Sequence, residues 1–149
     1  MKQLGSNHRD RDNFHHIQRV SLFEQSESEY EPEFHDQYFS KPAQRFQLLL
    51  EFSDIPIGIT TLDVIKDDRA ITRGVSISKE FQGKGHGKAL GKLVQEFAQS
   101  LGIKRLHVNA DKNKIQYYES LGFKKDEWEK EDLNGIDASN IVQMTYILD

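Results

Sequence analysis

The 149-residue sequence predicts a mixed α/β (α+β) fold. Three observations carry the prediction. Alternating or β-branched segments recur three times between Phe46 and Ser78, close enough to be consecutive strands. A run of helical apolar spacing follows, from Ala89 to Leu101. The remainder reads as a short strand, a short helix and two further strands. Elements in that order make a sheet flanked by helices. They fit one domain over residues 1–149, long enough for a core without metal or disulfide staples.

Each element follows from its residues. Arg9 to Phe23 predicts a helix, with Phe14, Ile17, Val20 and Leu22 as a loose apolar stripe. Glu24 to Asp36 holds six acids and no Lys or Arg, and reads as a solvated helix–loop stretch. Phe46, Leu48, Leu50 and Phe52 alternate, which predicts a half-buried strand. Ser53-Asp54-Ile55-Pro56 has the chemistry of a turn. Ile57 to Ile65 is β-branched and reads as the second strand. Lys66 to Arg69 is a polar loop. Ala70 to Ser78 is the third strand, with Val75 and Ile77 on one face. Short connections make these three an antiparallel meander.

The period then changes. Ala89, Leu90, Leu93, Val94, Phe97, Ala98 and Leu101 define a long amphipathic helix, stopped by Gly102 in the C′ position. Ile103 to Asn109 is a strand with Leu106 and Val108 facing one way. A helix runs from about Lys114 to Leu121, with Asn113 as its cap, Gln116 at the matching capping-box position and Gly122 as its stop. Phe123–Glu129 and Ile141–Leu148 are the last strands, joined through an Asn134-Gly135 turn signal.

Composition removes several classes of function. Mean hydropathy is −0.70, and no stretch approaches the roughly 20 apolar residues of a membrane span. Met1 to Asp12 shows no secretory signal. Cysteine is absent, so disulfides, thiolate metal sites and cysteine nucleophiles are excluded, and a reducing, cytoplasmic setting is expected. The net charge of −4 argues against a dedicated nucleic-acid binder. His15-His16 has no partner ligand at metal spacing, so no metal is expected.

One segment carries chemistry. Val75-Ser-Ile-Ser-Lys-Glu-Phe-Gln82-Gly-Lys-Gly-His-Gly-Lys88 runs from a strand, through glycines at 83, 85 and 87, straight into the long helix. Missing side chains let a ligand touch backbone there. The free N–H groups of the first helical turn and the helix dipole favour an anion, most naturally phosphate. Lys84 and Lys88 add positive charge. The spacing is neither a Walker A loop nor G-x-G-x-x-G, and the strand after the helix offers Lys104 and Arg105 where a dinucleotide site wants an acid. Residues 69–125 carry twelve Lys/Arg against four Asp/Glu, while residues 1–36 carry four against eight and residues 126–149 one against seven. The basic block surrounds the glycines, and the acidic blocks lie toward the two ends.

The sequence resembles the GNAT family of acyl-CoA-dependent N-acetyltransferases. Gln82-Gly-Lys-Gly85-His-Gly87 satisfies the family's Gln/Arg-x-x-Gly-x-Gly/Ala pattern, and Tyr118-Glu-Ser-Leu-Gly-Phe123 matches the usual end of its short helix. The likeness covers about Gln44 to Leu148; residues 1–40 fall where the family has variable substrate-side helices. The resemblance implies a mostly antiparallel central sheet, splayed between the fourth and fifth family strands. The pantetheine arm of acetyl-CoA would lie in that gap, against backbone near Val75 and Ile77. The pyrophosphate would sit on Gln82, Gly83, Lys84, Gly85, His86, Gly87 and Lys88. Asn113 would hydrogen-bond the arm. Tyr118, rather than its neighbour Tyr117, would be the general acid. Many relatives use a strand Glu as base, yet Ile71 to Ser78 has no acid. Asp63, His107 and Asn109 are the polar strand candidates, and His107 is the nominal base, with a water chain as the other choice. No metal is implied. The acceptor would be a small-molecule or peptide amine, cationic if it meets the acidic stretch. The alternative is a non-catalytic acyl-CoA sensor of the same fold. Homodimers are common in the family, with Ile141–Leu148 as a candidate contact.

Overall fold

The computed structural model describes residues 2–3, 12, 16–17, 44–66, 68–129 and 138–148. The expected acidic stretch and the Asn134-Gly135 turn lie outside them. Asp12, His16 and Ile17 are helical, within the segment expected to be a helix.

Among the described residues, seven strands form one sheet in the order β1-β2-β3-β4-β5-β7-β6. They are β1 (Lys2–Gln3), β2 (Gln44–Phe52), β3 (Ile55–Lys66), β4 (Arg69–Ile77), β5 (Arg105–Asp111), β6 (Lys124–Lys125) and β7 (Ile141–Ile147). Helix α1 (His86–Ser100) follows β4, and helix α2 (Ile115–Ser120) follows β5. The meander expected from Phe46 to Ser78 is present, β2–β3 and β3–β4 both being antiparallel. Its first turn is Ser53-Asp54, with φ of 50° and 65°, two left-handed residues that suit the twist of a tight hairpin. β4 and β5 run parallel, and α1 supplies the crossover that a parallel pair needs.

Two apolar clusters lie on the two faces of the sheet. The larger joins Phe46, Leu48, Leu50, Leu62, Ala70, Leu106, Val108 and Met144 to Leu90, Val94 and Ala98 of α1 and to Tyr118 and Leu121 of α2. Phe46 meets Phe97 edge-on at 5.2 Å. The smaller cluster is Ile17, Leu49 and Ile59. β2 was expected to be half-buried; it is covered on both faces, because the Ile17 segment packs on Leu49. Phe52 departs from its predicted burial. It pairs with Ile55 beside the turn, and the two are 68% and 50% exposed, beyond the reach of the helical layer.

Both helices end alike. Gly102 N–H bonds Gln99 O and Ile103 N–H bonds Ala98 O; Gly122 N–H bonds Glu119 O and Phe123 N–H bonds Tyr118 O. Each is a Schellman closure, with a buried apolar residue following the glycine. The start of α2 differs from expectation. Its N-cap is Lys114, without a side-chain bond, and Asn113 lies in a preceding 3₁₀ turn (Lys112–Lys114). Because the chain enters through that turn, the capping oxygen is Asp111 Oδ1, which accepts from Asn113 N–H at 2.9 Å. The Phe123–Glu129 strand shrinks to β6, and β7 lies between β5 and β6. Lys124 and Lys125 pair with its outer edge, and Asp126 N–H bonds Gln143 O.

Candidate functional site

β4 changes sides halfway. Ile59 pairs with Ser76 and Thr61 with Arg73, so two residues of β4, Gly74 and Val75, face one residue of β3. Gly74 takes φ 62°, the left-handed conformation that a bulge of this kind needs. Before it, Ile71 lies in a cross-strand row with Arg45, Asp63, His107 and Thr145. After it, Val75 and Ile77 pack on the larger core. The ladder from β4 to β5 spans three pairs, Arg69–Arg105, Ala70–Leu106 and Ile71–His107. β4 continues to Ile77 and β5 to Asp111.

β4 ends in a 3₁₀ turn over Lys79–Phe81 and then the glycine corner. Gly83 and Gly85 have φ of 76° and 84°, and a Cβ on either would meet nothing within 4 Å. Gly85 is the N-cap of α1, without a side-chain cap and with no acid in the first turn. The first bond into the helix is Ala89 N–H to Gly85 O at 3.1 Å, so the amides of His86, Gly87 and Lys88 have no acceptor within the helix. Gly87 differs from the other two. It is helical, and a Cβ on it would sit 3.5 Å from the Tyr117 ring. Gln82 Nε2 donates to Ile77 O at 2.9 Å, bracing the corner against the strand. Lys84 stands 5.9 Å over the Phe81 ring, and His86 meets Phe81 edge-on. Lys84 and Lys88 are exposed.

α2 presents two tyrosines. Tyr118 is buried at 6% exposure and edge-on to both Tyr117 and Phe123. Burial and then the neighbouring Tyr117 push its phenol well above the ordinary value, so it stays protonated. Tyr117 donates from Oη to Gly87 O at 2.6 Å. Burial pushes its phenol up to about 12. Asn113 is exposed.

The candidate strand bases are held elsewhere. Asp63 is fully buried, with Oδ1 accepting from Arg45 Nε at 2.7 Å, Oδ2 from Arg45 Nη2 at 2.9 Å and Oδ2 from Arg73 Nε at 3.0 Å. His107 is 1% exposed and stacks on Trp128 at 4.7 Å. Arg69 Nε donates to its Nε2 at 3.0 Å. Arginine has no acceptor, so Nε2 is the unprotonated nitrogen. Nδ1–H therefore donates to Thr145 Oγ1 at 2.7 Å, and Thr145 donates to Asp126 Oδ2 at 2.9 Å. In this arrangement both ring nitrogens of His107 are engaged by neighbouring side chains. Asn109 Oδ1 accepts from Gln143.

Sequence reasoning passed over Asp111, Arg69, Trp128 and the Tyr117–Gly87 bond. It also passed over Ser76, whose Oγ is buried with no hydrogen-bond partner among the described residues. Among those residues no group of His, Cys, Asp and Glu is placed to hold a metal ion, and no helix is long and apolar enough to cross a membrane.

The β4–β5 ladder ends at Ile71–His107, and β4 runs on into a glycine corner with open helical amides. The sequence matches the Acetyltransferase (GNAT) family over residues 11–123, and the chain belongs to that family. It finds no match among curated protein sequences. Solved structures share the fold. Tetrahymena GCN5 superposes with TM-score 0.75 at 16% identity, over 100% of this chain and 97% of that one. A GNAT family acetyltransferase from Elizabethkingia anophelis with acetyl-CoA bound gives 0.72 at 18%, over 99% and 96%. The ribosomal-protein-S18-alanine N-acetyltransferase from Escherichia coli gives 0.70 at 14%, over 99% and 94%.

Proposed function

We propose that this chain transfers the acetyl group of acetyl-CoA to a primary amine by direct attack, as one cytoplasmic domain. One observation carries the reading: the uncapped N-terminus of α1, with three amides lacking helical acceptors and no acid in its first turn, follows a strand whose ladder with β5 stops at Ile71. The fit to the donor is chemical. Open amides suit a diphosphate, Lys84 and Lys88 add charge, and β4 extends past its last pair with β5, so that an extended arm would run alongside it near Val75 and Ile77. Asn113, in the 3₁₀ turn that follows β5, would hydrogen-bond that arm.

When bound, acetyl-CoA supplies the thioester. The chain's residues hold and orient it, which accounts for much of the rate in a bimolecular acyl transfer. The amine nitrogen forms the new bond to the carbonyl carbon as the carbon–sulfur bond breaks. Tyr118 gives its phenolic proton to the departing sulfur and regains one from solvent; its raised pKa keeps that proton in place until then. The amine loses its proton to water, since Asp63 and His107 are engaged. The acidic stretch Glu24–Asp36 favours a cationic acceptor.

The engagement of Asp63 and His107 also favours a second reading, an acyl-CoA sensor without turnover. Two measurements separate them. Acetyl-CoA should raise Tm in the wild type, and Gly85→Asp, which places a carboxylate among the open amides, should abolish the rise. Absence of any wild-type rise overturns both readings. Thiol release with an amine panel then distinguishes enzyme from sensor, and Tyr118→Phe should lower kcat by roughly 100-fold if the phenol is the acid.

A further inference from the structure

Tyr117 is the nearer of the two tyrosines to the glycine corner, and its hydroxyl is spent on a backbone carbonyl. That carbonyl belongs to Gly87, whose peptide nitrogen is the amide of Lys88. Lys88 N–H is one of the three donors without a helical acceptor. We propose that Tyr117 is a positioning residue for the donor's diphosphate: by donating to Gly87 O it aligns and polarises the Gly87–Lys88 peptide, so that Lys88 N–H meets the phosphate oxygen as a stronger donor. The inference rests on the acetyl-CoA reading above.

The geometry is built for this bond. At 2.6 Å it is short for a neutral O–H···O contact. Its seat exists because Gly87 and Gly91 lie one helical turn apart. A Cβ at Gly91 would come within 2.5 Å of Leu121 Cδ1 and 3.0 Å of Tyr117 Oη. Two missing side chains thus let α2 lie against the backbone of α1 with the hydroxyl aimed at its first turn. A donor on a peptide carbonyl increases the polarity of that peptide's N–H, the cooperative strengthening seen in hydrogen-bonded chains. The raised phenol pKa keeps the donor protonated through neutral pH. The same residue holds the Tyr118 ring at 4.9 Å, so one contact fixes the phosphate end and the proposed acid together.

The test is Tyr117→Phe, which keeps the ring and removes only the hydroxyl. CoA affinity is measured by calorimetry, and the Lys88 amide proton is followed by NMR with and without CoA. The Kd for CoA should rise about 3- to 10-fold, Tm should move by no more than about 2 °C, and the CoA-induced shift of the Lys88 amide should fall to less than about half, in line with the lost polarisation. Gly91→Ala, which displaces Oη from the helix side, should reproduce the Kd rise at lower Tm. A Kd within about 1.5-fold of wild type, or an unchanged Lys88 shift, overturns the role of Tyr117. If wild-type protein itself takes up no CoA, the donor site fails instead, so the two failures are distinct.

Discussion

Two polar regions flank the middle of the sheet, and they are built on opposite terms. At the glycine corner three helical amides have no partner within the helix, and Gly83 and Gly85 face open space. On the β5–β7 face the buried polar groups are matched. His107 uses both ring nitrogens, Thr145 accepts from one neighbour and donates to another, and Gln143 bonds Asn109 and both backbone groups of Glu129. A buried polar group without a partner costs about 1–3 kcal/mol, so the buried set is matched within the fold, whereas the corner lies at exposed and half-exposed positions that solvent or a ligand can reach. Imidazole has the pKa of a base, and the histidine here has both ring nitrogens engaged by side chains of the sheet.

Asp63 offers the largest way to break that contrast. Its carboxylate lies between Arg45 and Arg73 with no exposure. Asp63→Ala would leave the Arg73 guanidinium, itself 6% exposed, buried without this carboxylate. The expected loss is about 3–5 kcal/mol of unfolding free energy, read by urea denaturation. CoA affinity of the remaining folded protein should stay within about twofold. A stability loss below about 1 kcal/mol would mean that the row is not matched scaffold at all.

Thr145→Val is the next test, since it keeps shape and removes the hydroxyl between His107 and Asp126. It should cost about 1–3 kcal/mol, because His107 Nδ1–H is left buried without that acceptor. Acetyl transfer per folded molecule should be unchanged. If turnover collapses while stability holds, the chain from His107 through Thr145 to Asp126 carries protons, and the contrast between the two regions dissolves.

What the sequence discloses about each region follows the same physics. Local rules place the ends of α1 and α2, because the closure at Gly102 and Gly122 depends on residues within five positions of each other. The glycine corner is legible for the same reason. Facing is not. The bulge at Gly74 reverses which β4 residues meet the core, and the partner of His107 is set by Arg69, far away in sequence. Asn113 has the chemistry of a cap, but the helix is entered through a 3₁₀ turn, and Asp111 two residues earlier is the available signal. The Tyr117 bond had a faint signal too. Gly87 and Gly91 at one-turn spacing announce a close neighbour, though not which one.

The smallest expected effect is a slope of stability with pH confined to alkaline conditions, and it concerns the corner side of the comparison. Tyr117 has a folded pKa of about 12 against an ordinary 10.0. Between those values the unfolded chain has released this proton and the native chain still holds it. Unfolding therefore releases a proton, and stability falls as pH rises. The contribution is fully present below the unfolded pKa and is lost on the way to the folded one. Tyr118 is shifted in the same direction and adds to the slope. Urea unfolding at a series of pH values from about 9 to 11.5 should show wild type losing stability faster than Tyr117→Phe, in which the Tyr118 part of the slope remains. Equal slopes would mean that the Tyr117 hydroxyl is as accessible in the fold as in the open chain. In that case its bond to Gly87 does not persist in solution, and the packed junction between α1 and α2 is looser than the 2.6 Å contact describes.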